Sequence, residues 1–283
     1  MFRLVEEEME GLPENTWLSR EFCNRWSGRL VVDGKYVAVK GYDRKIPLIY
    51  CIDFLTHDIP VGILVPSENE WAFTELFNLL HTIRYPLQIV ICDDASALKP
   101  ALHRVYPSVP IQLCHNHYLE NVRQLLRVRT EEKYRAFFAE LRGAFSPKNH
   151  FQKRNGWLRS IFLRYASQDP MLEDIMADVD ARYDFLFAFD ANFMRHCPHT
   201  TNMIESYNSH LQGRLKSVKG FQSFHSASRF LNAWMLRRRT KTLTDCEKPF
   251  AHLNGHAPIE QSLKKGADLA SVLSLLGLKK HLK

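Results

Sequence analysis

No apolar run in this chain approaches the ~18 residues that a membrane-crossing helix needs, so a helical membrane protein is not expected. The opening stretch, "MFRLVEEEMEG", is acidic and has no apolar core segment, which argues against a secretory signal. A disulfide framework is also missing. The six cysteines, Cys23, Cys51, Cys92, Cys114, Cys197 and Cys246, are scattered, and several sit in apolar runs. That usage predicts reduced, mostly buried thiols in a cytosolic chain. There is no internal repeat and no low-complexity segment, so a solenoid or an array is excluded.

What is present is ordinary globular material. The 283 residues suffice for one large domain or two small ones, with 45% hydrophobic and 24% charged residues. The net charge is +7 and the isoelectric point is near 9.1. A basic balance favours a polyanionic partner, but many basic proteins bind no nucleic acid, so charge alone does not decide the matter.

Residues 1–29 are mixed and predict a short helical lead. From residue 30 the pattern is strand-like: "RLVV" runs into Asp33-Gly34, "KYVAVKG" alternates, and "KIPLIYCIDF" and "PVGILV" follow. Ser67 to Glu70 has the form of a capping box and opens a helix with the stripe Phe73, Leu76, Phe77, Leu80 and Ile83. "LQIVICDD" reads as a buried strand. A short helix with Leu98, Leu102 and Val105 on one face follows, then a fifth strand, "VPIQLC". The order β-β-β-α-β-α-β-α predicts an α/β fold: a three-stranded antiparallel meander, then strands alternating with helices, with the first and fourth strands side by side. Residues 118–195 contain no clear strand and read as helices, and "TTNMIESYNSHLQGRLK" and the basic "SASRFLNAWMLRRR" are helical again. After Thr240 the chain is less regular and ends in "LKKHLK".

Three carboxylates stand out by position. Asp33 ends the first strand or sits within it, Asp93 ends the fourth beside Asp94, and Glu205 sits in the helix after the all-helical stretch. Brought together they would repel, and hard divalent cations with oxygen ligands relieve that repulsion. Each also has a plainer reading. Asp33-Gly34 is a strong hairpin signal, and on spacing alone a turn is the more economical choice. Asp93 or Asp94 could cap the next helix. Glu205 completes a capping box with Asn202.

"QLCHNHYLENV" contains Cys114-x-x-His117, the spacing of half a zinc site. Zinc wants about four ligands. Cys197 and His199 are of the right type, but no clear second pair exists, so a reduced cysteine and a histidine packed under the sheet is the better reading.

Taken together these segments resemble one family, the Mutator-type DDE transposases of bacterial insertion sequences, in the Mutator-like element superfamily. "LVVDGKYVAV" is similar to the family's first-acid strand. "IVICDDASALKPALHRVYPSVPIQLCHNHYLENV" is similar to its second-acid block and Cys-x-x-His run, and "HTTNMIESYNSHLQGRLKSVKGFQS" to its third-acid block. The resemblance covers roughly residues 30–240. It implies an RNase H-like mixed β-sheet flanked by helices, with an all-α insertion between the second and third acids. The implied division is a lead at 1–29, a catalytic core at 30–125 and 196–240, the insertion at 126–195, and a basic tail at 241–283.

The resemblance further implies that Asp33, Asp93 and Glu205 hold two Mg²⁺ (or Mn²⁺) ions and cleave and join DNA at insertion-sequence ends. Cys114 and His117 mark a strand-to-helix junction. The residue after the second acid, usually Gly in the family, is Asp94 here; register with "ASALKPAL" favours Asp93 as the ligand. The implied partners are double-stranded DNA (terminal inverted repeats and target) and a second copy of the chain as a homodimer, with no membrane. The implied setting is the prokaryotic cytoplasm, associated with the nucleoid.

Phosphate-contact candidates are Arg214, Lys216 and Lys219, then Arg237, Arg238 and Arg239, for which a solvated helix end is an equal reading. Trp234 reads as core. Only about thirty residues precede the first acid, where family members carry a DNA-binding region, so an N-terminally truncated element is one expectation. A catalytically silent DNA-binding remnant is the alternative, and a zinc-dependent structural protein built on Cys114 and His117 is a third reading.

Overall fold

The computed structural model describes residues 9–93, 96–146, 151–190 and 197–277. Helix α1 (Asn15–Phe22) leads into strand β1 (Arg29–Val37), followed by β2 (Ile46–Asp53), β3 (Gly62–Leu64), α2 (Glu70–Thr82), β4 (Ile89–Cys92), α3 (Leu98–Val105) and β5 (Ile111–Leu113). These strands form a five-stranded mixed sheet in the order β3-β2-β1-β4-β5, so β1 and β4 are neighbours as expected. The expected meander is present: β1 pairs antiparallel with β2, and β2 with β3.

One turn expected from local spacing is overturned. Asp33-Gly34 does not reverse the chain. β1 continues through it to Val37, with Asp33 opposite Tyr50 and Gly34 opposite Ile49. The apolar run "IPLIYCID" is buried at every position and presents an unbroken ladder. Pairing along that ladder outweighs a two-residue turn preference.

Helix α2 buries Phe73, Leu76, Phe77 and Leu80, with Ile83 just beyond its end, which is the predicted stripe. Its cap lies two residues later than the Ser67 pattern suggests: Asn69 Oδ1 accepts the Ala72 N–H at 2.9 Å. Helices α4 (His115–Leu125), α5 (Arg135–Ala144), α6 (Phe151–Tyr165), α7 (Pro170–Ala181) and α8 (Tyr183–Leu186) follow. The stretch read as one helix from Met171 is divided at Arg182, whose backbone (φ −103°, ψ 9°) leaves the α region. Then come α9 (Asn202–Leu215), α10 (Phe224–Thr240), α11 (Pro258–Ser262) and α12 (Leu269–Leu275). Among the described residues no helix is long and apolar enough to cross a membrane.

The chain divides into two compact units. One comprises Met1–Val90, Ala95–Val109 and Asn202–Lys283; the other comprises Ile91–Asp94 and Pro110–Thr201.

The first unit is knotted around a fully buried ion pair. Arg239 Nε and Nη2 donate to the two Asp58 oxygens at 2.7 and 2.9 Å, and Nη1 donates to Asn15 and Ser19. Asp58 also accepts from Ser262. These bonds join α1, the loop between β2 and β3, α10 and α11. The segment after Thr240 is therefore partly core: Leu253, Ile259, Leu263 and Val272 are buried, and Asn24 and Arg25 donate their N–H groups to the Ser262 carbonyl. Gly62 lets α10 approach the sheet, because a Cβ there would sit 2.5 Å from Met235 Sδ and 2.9 Å from Tyr50 Cβ.

The second unit is held by rings. Arg154, also fully buried, pairs with Asp190, and its guanidinium lies 4.6 and 5.1 Å from the ring centres of Phe187 and Phe189. His115 stands among Phe145, Phe187, Phe189 and His199.

Candidate active site

In the first unit Asp33 leaves the buried half of β1, where the burial pattern changes from closed to half-open. Its Oδ1 accepts the Gly34 N–H at 2.7 Å, and its Oδ2 accepts Asn208 Nδ2 at 2.6 Å. The Asn208 amide is turned that way because its Oδ1 accepts the Tyr50 hydroxyl at 2.9 Å. Burial, and then the Asp33 charge, push the Tyr50 hydroxyl well above the ordinary phenol range, so it stays protonated and donates. Tyr50 is held by Trp234, which meets it edge to face at 5.6 Å. Trp234 is buried, as the core reading expected.

Glu205 and Asn208 are three residues apart on α9 and therefore share a helix face. The bond from Asn208 to Asp33 thus sets which side of α9 faces β1. Glu205 is exposed and lines an open groove of about 430 Å³ with Lys35, Asn208, Ser209, Gln212 and Lys216.

In the second unit Asp93 follows β4 and is half-exposed. His117, in the first turn of α4, places Nδ1 2.6 Å from Asp93 Oδ1. The Thr201 hydroxyl donates to Cys114 Sγ at 3.2 Å and lies 3.3 Å from His117 Nδ1; the Thr201 N–H also points to Cys114 Sγ at 3.3 Å. Donation to sulfur leaves His117 Nδ1–H for Asp93, the tautomer consistent with all of these contacts. Burial raises the Cys114 thiol. His115, between them in sequence, faces elsewhere: its Nε2 is 2.6 Å from the Leu186 carbonyl, and burial lowers its pKa to about 3, so it is neutral.

Among the described residues one group of metal-ligating side chains stands in the second unit. One atom each from Asp93, Cys114 and His117 lie within 4.8 Å of one another. The set of carboxylate, sulfur and imidazole nitrogen is of the softer kind, but its members are already joined to each other and to Thr201. Among the described residues Cys197 and His199 do not join that group. Of the expected acids, Asp33 and Glu205 belong to the first unit and Asp93 to the second, and each offers only oxygens, the donors that hard divalent cations take. Asp94, the alternative ligand, lies outside the described residues.

The basic candidates separate. Arg214, Lys216 and Lys219 are exposed. The triplet at the end of α10 does not act as one patch. Arg237 is exposed, and the Arg238 guanidinium lies 4.3 Å over the Tyr207 ring. Arg239 is fully buried on Asp58, which removes it from the phosphate-contact candidates. Steps of about 100° per residue cannot keep three consecutive side chains on one face.

Sequence reading did not find Asn208, Tyr50 or Lys35. The Glu205-x-x-Asn208 spacing was a usable signal; nothing in the sequence marked Tyr50.

The family model described as Transposase, Mutator family, matches residues 55–240. The chain belongs to that family. Asp93, Cys114, His117 and Glu205 fall inside the matched span, and Asp33 precedes it. This Mutator-family chain is 22% identical over 196 residues to the transposase for insertion sequence element IS1201 of Lactobacillus helveticus, covering 69% of the chain and 48% of that relative. It is 23% identical over 239 residues to the transposase for insertion sequence element IS256 in transposon Tn4001 of Staphylococcus aureus, covering 82% of the chain and 60% of the relative. The same figures hold for the corresponding protein of Enterococcus faecalis. The chain thus spans about half to three fifths of the length of the curated relatives it matches.

Proposed function

We propose that this Mutator-family chain is a DNA transposase of the DDE type, in which Asp33, Asp93 and Glu205 hold Mg²⁺ or Mn²⁺ in an RNase H-like core interrupted by an all-helical insertion. The observation that carries the reading is the tie from the Asp33 carboxylate to Asn208 on the helix of Glu205. The strand order supports it, because β4, which Asp93 follows, neighbours β1, which carries Asp33. The donor chemistry supports it as well.

When bound, a pair of such ions would stabilise charge on the attacking and leaving oxygens of an in-line phosphodiester displacement. The protein's own groups do the rest. Asn208 fixes one oxygen of Asp33 and leaves the carboxylate one orientation. His117 does the same for Asp93. Lys35 and Lys216 flank Glu205 in its groove and offer positive charge to a phosphate there. The substrates in this reading are DNA duplexes carrying the element's terminal inverted repeats, and target DNA. A homodimer holds two ends together, and the setting is the prokaryotic cytoplasm at the nucleoid.

The test uses purified protein and end-containing DNA with Mg²⁺. Glu205→Gln, Asp33→Asn and Asp93→Asn should each lower cleavage by more than about a hundredfold, with thermal melting showing that the variants fold. Cleavage at the wild-type rate by Glu205→Gln would sink the assignment. DNA binding with a steep salt dependence and no cleavage in either metal would mark a silent remnant.

A further inference from the structure

We propose that the loop between β1 and β2, together with the segment after α9, forms a groove for the phosphate backbone of duplex DNA. The proposal rests on the DNA-directed reading above. The two segments lie far apart in sequence and are fastened by backbone bonds. Phe221 N–H donates to the Ala38 carbonyl at 2.9 Å, and Lys40 N–H donates to the Phe221 carbonyl at 2.8 Å. Val39 and Phe221 form a parallel bridge and are buried, and Phe221 packs on Phe230 at 5.2 Å. The floor is therefore built, not a chance meeting of loops.

Above that floor is an open groove of about 470 Å³ whose lining includes Lys40, Tyr42, Arg44, Lys45 and Lys219. All five are exposed, and Asp43 is the one acid in the lining. Some cations elsewhere in the same unit have an acid at hand: Arg20 has Glu21, Arg104 has Glu70, and Arg229 has Glu14. Among the described residues Lys40, Arg44, Lys45 and Lys219 have no acidic partner. A concave surface with four such cations repels itself and is relieved by a polyanion.

The position of the groove selects DNA. Residues 216–219 run from the groove of Glu205, which holds Lys35 and Lys216, into this one, while the chain from Asp33 passes the end of β1 at Val37 and reaches Lys40 in the loop. At about 3.3 Å per residue, that stretch of chain is at most roughly 23 Å, or about seven of the 3.4 Å steps of a duplex strand. The cations thus follow the backbone outward from the proposed chemistry. Lysine and arginine on phosphates position a duplex without reading its bases, so the groove should act on any sequence.

The experiment measures binding of the full chain to a short fluorescent duplex of arbitrary sequence over a range of salt. The variant Lys40→Gln/Arg44→Gln/Lys45→Gln should bind more weakly and lower the log–log salt slope by about 2.7, at about 0.9 per lost phosphate contact. Lys219→Gln alone should lower it by about 0.9. A control with the same charge change, Arg25→Gln/Lys248→Gln/Lys265→Gln, should leave the slope in place. Melting curves establish that each variant is folded. A wild-type slope in the groove triple, or an equal loss in the control, overturns the groove. Glu205→Gln keeps the two readings apart: it should retain the wild-type salt slope while losing cleavage. Cleavage by Glu205→Gln would overturn the metal assignment and leave the groove standing.

Discussion

Among the described residues each of the two units buries one arginine completely, and they do it by different means. Arg239 in the first unit is saturated by hydrogen bonds to Asp58, Asn15 and Ser19. Arg154 in the second shares its charge between Asp190, which is partly open to solvent, two phenylalanine rings and one long bond from Nε to the Ala144 carbonyl at 3.3 Å. Burying a charge is costly unless it is paired. A polar network supplies partners at fixed angles and so fixes where distant segments of chain meet. Aromatic faces accept a cation over a range of positions, which suits a core made of helices rather than a strand ladder.

The comparison predicts unequal damage. Arg239→Met strands a fully buried Asp58 and should cost about 3–5 kcal/mol by denaturant unfolding; adding Asp58→Leu should recover part of it. Arg154→Met leaves Asp190 at 16% exposure, where water can reach it, and should cost only about 2–3 kcal/mol. Equal losses would show that rings and hydrogen bonds hold charge alike.

Two glycines extend the contrast. Gly62→Ala meets Tyr50 Cβ, which cannot swing away, and should cost about 1–3 kcal/mol. Gly143→Ala meets the far edge of the Trp157 indole and gains helix propensity, so the net change should stay within about 1 kcal/mol. A larger loss at Gly143 would mean that the second unit is packed as rigidly as the first.

The smallest effect concerns pH. His115 is neutral in the fold, with its pKa lowered from 6.5 to about 3 by burial. The unfolded chain binds a proton below pH 6.5 and the folded one does not, so this group's contribution to stability is lost as pH falls from there toward about 3. Melting temperatures between neutrality and about pH 6 should fall less in His115→Gln than in wild type, by the equivalent of about 0.7 kcal/mol. Identical acid limbs would refute it.

What was legible in the sequence follows from range. The stripe of α2 and the apolar runs of the strands are set by neighbours within a few residues, and they could be read. The fate of Asp33-Gly34 was decided by β2, whose buried ladder carries β1 through a dipeptide that favours turning. Arg237, Arg238 and Arg239 read as one basic cluster because they are adjacent, yet a helix turns each to a different environment. The acids Asp33, Asp93 and Glu205 were visible as residue types at suggestive places. Their supports, Asn208 and Tyr50 for one and His117 and Thr201 for another, act through contacts between segments up to 175 residues apart; the Glu205-x-x-Asn208 and Cys114-x-x-His117 spacings were legible, but the partners they reach were not.

Because β1 runs unbroken through Asp33, everything beyond it is governed by parity. Side chains alternate across a strand, so Asp33 and Lys35 emerge on the same side, and Lys35 reaches the groove of Glu205. A single residue inserted between them would reverse every later side chain, turning the lysine away and presenting its neighbour instead. An insertion of two would restore the sides and merely lengthen the spacing. This stretch therefore tolerates change in even steps and not in odd ones. A loop carrying the same acid and the same lysine would show no such arithmetic.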